Sequence, residues 1–95
     1  METMEIVDGY DRRKNPTKVT VRPMTLQEVF ALSYGDHIEF ISIQGTLRTM
    51  KVNGAVKRWK REPDRFELPA KYGMYEFATF TNSDLPRLVV RVQKD

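Results

Sequence analysis

The chain is cut into short pieces by its own turn chemistry. Gly35-Asp36, Gln44-Gly45, Asn53-Gly54, Glu62-Pro63-Asp64, Pro69 to Gly73 and Asn82 to Pro86 recur at short intervals. The segments between them are too short for stable helices and are rich in β-branched and aromatic residues, as strands are. A mainly β fold follows, a small antiparallel barrel of about five to seven strands. One short helix interrupts it. Thr25 stands three residues before Glu28, the spacing of a capping box, and Leu26, Val29, Phe30 and Ser33 mark a narrow apolar stripe. Gly35 is placed to take the left-handed position that ends this helix. With 95 residues and no cysteine, one core must hold by packing alone, which excludes disulfide modules, thiol nucleophiles and thiolate zinc sites.

Thr17 to Arg22 alternates β-branched with charged residues and reads as the first strand, stopped by Pro23. Residues 1–16 then form an N-terminal arm or edge segment ahead of a single domain over 17–95. Further strands are predicted over His37 to Ile43, Thr46 to Val52, Ala55 to Arg61, Arg65 to Leu68, Met74 to Thr81 and Arg87 to Gln93. Asn53-Gly54 is the strongest hairpin signal in the chain. A two-residue turn there pairs Val52 with Ala55, Lys51 with Val56 and Arg48 with Trp59. Val19 to Arg22 and Leu88 to Val92 are the candidate sheet edges. Gly35-Asp36-His37-Ile38-Glu39-Phe40, followed by Gly45-Thr46-Leu47 and a hairpin, resembles the opening of SH3-like small barrels of the KOW and Tudor types. The resemblance covers about a quarter of the chain and implies binding of nucleic acid or peptides. The compact, idiosyncratic sequence also resembles accessory proteins of bacteriophages and other mobile elements.

Charge is distributed unevenly. Lys and Arg number 16 against 13 Asp and Glu, a net charge of +3. Residues 1–47 balance at −2, residues 48–71 at +5 and residues 72–95 at 0, so the excess sits in the central hairpin. Arg48, Lys51, Lys57, Arg58, Lys60 and Arg61, with Trp59 and Tyr72 as stacking rings, suit phosphates and bases, whether DNA or RNA. The plain structural alternative places Trp59 in the core and pairs the cations with Glu62, Asp64 and Glu67. Tyr75, Phe77 and Thr79 share one strand face and Met74, Glu76, Ala78 and Phe80 the other. Most of these rings are expected to pack in the core, with Tyr72 the most exposed.

No catalytic constellation is found. His37 is the sole histidine, with Asp36 and Glu39 beside it, which makes neither a triad nor a metal set, and it reads as an exposed residue at the start of a strand. No cofactor, metal or enzymatic activity is expected. No apolar run is long enough to span a membrane and Met1 to Asp11 is acidic and polar, so a cytoplasmic location is expected. The expected function is non-catalytic nucleic-acid binding through a basic hairpin. The alternative is a protein-interaction, assembly or inhibitor module that docks the same hairpin on an acidic partner surface.

Overall fold

In the computed structural model, which describes residues 2–92, the elements follow one another as β1 (Met4–Tyr10), β2 (Pro16–Pro23), α1 (Leu26–Phe30), β3 (His37–Ile41), β4 (Leu47–Val52), β5 (Lys57–Arg58), β6 (Phe66–Tyr72), β7 (Glu76–Thr81), a 3₁₀ helix (Asn82–Arg87) and β8 (Leu88–Arg91). Gln93, the expected end of the last strand, lies outside the described residues.

The strands form one antiparallel sheet in the order β1-β2-β8-β3-β4-β6-β5, with β7 on the other side of β6. The class is the expected one, mainly β with a short helix, but the sheet does not close into a barrel. β6 and β7 carry it onward past β4 instead of returning to β1. Among the described residues only an isolated parallel bridge, Val7 to Thr46, links β1 back to the turn between β3 and β4. The edges are also not the expected ones. β2 lies between β1 and β8, and β8 between β2 and β3, so the outer strands are β1, β7 and the short β5.

Alternation sorts each strand into two faces. Ile38 and Phe40, Met50 and Val52, Phe66, Leu68 and Ala70, Phe80 and Leu88 point to one side and form the core with Met24 and Val29. The 0% exposure of Phe66 places it at the centre, its ring edge-on to Phe30 at 6.2 Å between centroids. Asn82 clamps the start of β6: its Oδ1 accepts from the Phe66 N–H at 3.0 Å and its Nδ2 donates to the Asp64 carbonyl at 2.7 Å.

The capping box is as expected. Thr25 accepts the Glu28 N–H on Oγ1, and the Glu28 carboxylate accepts the Thr25 N–H at 3.0 Å. The helix is shorter than expected, because it is capped at Ala31 and Gly35 does not end it. Gly35, at φ +93°, instead turns the chain into β3, where Ser33 N–H donates to Asp36 Oδ2. Arg22 of β2 grips the same Glu28 carboxylate through two bonds of 2.7 and 2.8 Å, tying the helix to the sheet.

That grip, reinforced by the Thr25 backbone, holds the Glu28 carboxyl at about 2, down from about 4.5. A depressed folded-state value adds stability that is complete above the unfolded value and is lost as pH falls through the folded one. Glu28→Gln is therefore expected to lower stability by about 1–2 kcal/mol at neutral pH. The deficit against the parent should shrink between about pH 4.5 and 2, as urea melts at stepped pH would show.

Candidate nucleic-acid interface

The Asn53-Gly54 hairpin does not form. β4 and β5 lie along the same edge of β6: Lys51 pairs with Lys71 and Val52 with Ala70, then Lys57 with Glu67 and Arg58 with Phe66. From Val52 to Lys57 the chain advances five residues while β6 goes back three, from Ala70 to Glu67, so two extra residues loop out as a bulge. A tight hairpin of the favoured type needs positive φ at both central residues, and neither Asn53 nor Gly54 has it. Asn53 N–H bonds the Pro69 carbonyl at 2.9 Å, and a Cβ on Gly54 would come within 3.2 Å of the Pro69 ring. Glycine is used here for close approach.

Pro69 was expected in a turn, yet it stands inside β6. Its carbonyl faces Asn53, so its nitrogen faces the same side, into the bulge, where a strand can dispense with an N–H. β6 therefore runs to Tyr72. The turn is Gly73 to Tyr75, with Gly73 at φ +65°.

These registers rearrange the expected site. Arg48 sits at the end of the core side, 3.5 Å from Glu76 and 5.9 Å from the centre of the Tyr72 ring. Arg58 lies on the core side too, with its guanidinium 4.1 Å from the Phe30 ring, where it lids the Phe30–Phe66 pair. Trp59 is half-buried and outside the core cluster; it is held between cations, with Arg65 at 4.1 Å and Lys57 at 4.9 Å from the ring centre. Lys60 and Arg61 are exposed in the segment between β5 and β6. Of the expected acidic partners, Glu62 binds Arg65 at 2.8 Å and Glu67 stands across from Lys57.

The sheet face opposite the core carries a row that the sequence reading did not assemble. His37 pairs with Lys51, Lys51 with Lys71, and Lys71 with Phe77, so the four side chains line up across β3, β4, β6 and β7. Directly paired residues share a face at about 4.5–5.5 Å between Cβ atoms, and like charges placed so repel. Phe77 is 63% exposed, although the aromatic cluster around it was expected to be mostly core. Tyr75, at 90%, is more exposed than Tyr72, at 58%. The expected division of β7 into two faces is the observed one, with Phe80 in the core and Phe77 on the opposite side.

The rest of the surface differs in character. Arg91 is bound by both oxygens of Glu39, at 2.8 and 2.9 Å, and by Asp8 at 3.1 Å, which raises its pKa and joins β8, β3 and β1. That guanidinium is committed to the fold. A shallow depression of about 790 Å³ near Glu62, Asp64, Glu67 and Asn82 is too acidic to attract an anion. Among the described residues no cluster of three or more His, Asp or Glu could hold a metal ion, and no helix is long and apolar enough to cross a membrane.

Comparison with protein-family models, with curated proteins and with solved structures found no match to this chain.

Proposed function

We propose that this chain is a non-catalytic nucleic-acid-binding module that uses the sheet face opposite the core. The observation that carries the reading is the Lys51–Lys71 pair, two lysines set directly across a ladder with His37 on one flank. An arrangement that weakens the fold in isolation becomes favourable when a polyanion lies over it. Lys57, Lys60 and Arg61 extend the positive charge along the edge that follows the bulge. Arg48 and Arg58 belong to the opposite side of the sheet and serve packing.

Fluorescence anisotropy of labelled DNA and RNA across a salt series tests the reading. Micromolar or tighter binding is expected, weakening linearly in log salt, because such contacts release counterions. Absence of binding at low salt would refute it.

A second reading, a protein-interaction module, is favoured by the β6–β7 tip, where Met74 and Tyr75 are 78% and 90% exposed beside the outer strand β7. Apolar surface at an open sheet edge suits strand addition by a partner. This reading expects Met74→Ser with Tyr75→Ser to abolish capture of a partner and leave any oligonucleotide binding unchanged.

A further inference from the structure

Resting on the nucleic-acid reading, the geometry points to a narrower ligand: we propose that the surface takes single-stranded nucleic acid, DNA or RNA, with Phe77 as the ring on which a base stacks and Lys51 and Lys71 on adjacent phosphates.

Three observations carry this. First, the rings anticipated for stacking are engaged or placed elsewhere. Trp59 is covered by Arg65 and Lys57, and Tyr72, with Arg48 at 5.9 Å, pairs with Glu76 on the core side of the sheet, away from the lysines. No cation lies over Phe77 among the described residues, and it stands on the face that holds the lysines. Second, the phenyl is held in place without being buried. It belongs to a strand paired over its full length with β6, so its backbone is fixed while the residue is 63% exposed. A ring presented this way loses little conformational freedom on stacking, and an exposed phenyl gains from covering its face.

Third, the face that holds Lys51, Lys71 and Phe77 does not suit a duplex. In a duplex the base faces are hidden in the stack, and a protein reads the major groove by inserting a helix or a two-stranded ribbon. The ribbon that carries Lys71 and Phe77 is β6–β7, and its tip, Gly73-Met74-Tyr75, bears no positive charge to meet the phosphates on either wall of a groove; the ribbon with a basic tip, β1–β2 with Arg12, Arg13 and Lys14, lies at the far end of the sheet order from Phe77. Lys51 and Lys71 lie instead on the open face behind the β6–β7 tip. Across β4, β6 and β7 the row from Lys51 to Phe77 spans two strand spacings, about 9.5 Å. A single strand can lay its backbone on the lysines and turn one base onto the ring.

The test is anisotropy with labelled oligo-dT, oligo-U and a mixed-sequence duplex of equal length at low salt, using the parent chain, Phe77→Ala and Phe77→Trp. The parent is expected to bind one or both single strands more tightly than the duplex. Phe77→Ala should lower single-strand affinity by roughly 5- to 150-fold, Phe77→Trp should retain it, and duplex affinity should not respond to either. The better of the two oligonucleotides identifies the sugar that the face prefers. Equal affinity for single strand and duplex, or Phe77→Ala without effect, overturns this inference and leaves the broader reading standing. No binding of any of the three overturns both. Because Phe77 is exposed, Phe77→Ala should melt within a few degrees of the parent, so a loss of affinity with an unchanged melt belongs to the ring.

Discussion

Phe66→Ala is expected to destabilise the domain by about 3–5 kcal/mol, the range for removing a fully buried phenyl. In a domain of this size each kcal/mol shifts the melting temperature by about 4–8 °C, so the midpoint should fall by at least about 12 °C. The effect is large because three features converge on this residue. The ring is fully buried, its edge meets Phe30, and Phe30 is in turn covered by the Arg58 guanidinium at 4.1 Å. Removing the phenyl empties the site on which α1 is seated. The backbone around it cannot collapse to fill the space, because the Phe66 N–H is held by Asn82 and the strand is paired with both β5 and β7. Phe66→Leu fills most of the volume and should cost less. Phe77→Ala, the same change on the opposite face, should stay within about 0.5 kcal/mol. Thermal and urea melts of the three variants check the ranking, and equal losses for Phe66→Ala and Phe77→Ala would contradict the assignment of faces.

The same faces show what could be read from the sequence and what could not. Patterns that depend on near neighbours were legible. The Thr25–Glu28 capping box, the alternation of Thr17 to Arg22, and the split of Phe77 from Phe80 each depend on a few adjacent residues. Strand pairing was not legible at Asn53-Gly54, because the dipeptide only permits a tight turn and a competing partner was stronger. β6 offers β4 a continuous edge, with the bulge opposite Pro69 absorbing the surplus residues. Reading Pro69 as a turn residue had a further consequence. It cut β6 short and left Lys71 without a partner, so the Lys51–Lys71 pair at the centre of the candidate site was missed. A signal was present: Phe66, Leu68 and Ala70 alternate with Glu67 and Lys71 straight through the proline. Trp59 was missed as a cation-bound ring for a different reason. Nothing local to it announces that Arg65, six residues on, turns back across its face.

Replacing both Lys51 and Lys71 with Gln should separate binding from stability. If the two ammonium groups sit on phosphates, affinity should fall and the slope of log affinity against log salt should become shallower by about 1.4 for a single strand. Stability should move the other way or stay level, since the change removes two like charges directly opposed across a ladder, worth about 0.2–1 kcal/mol. Few substitutions in a small domain are expected to weaken binding and tighten the fold together, which makes the pairing of signs diagnostic. The matched control removes two charges elsewhere, Arg12→Gln with Arg13→Gln in the turn between β1 and β2, on the other side of the sheet order. It lowers net charge by the same amount, so an equal loss of affinity in the control would mean that general attraction, and not this face, holds the nucleic acid. A fall in melting temperature for the Lys51 and Lys71 variant would mean that the lysines support the fold. The opposed pair would then need no ligand to explain it.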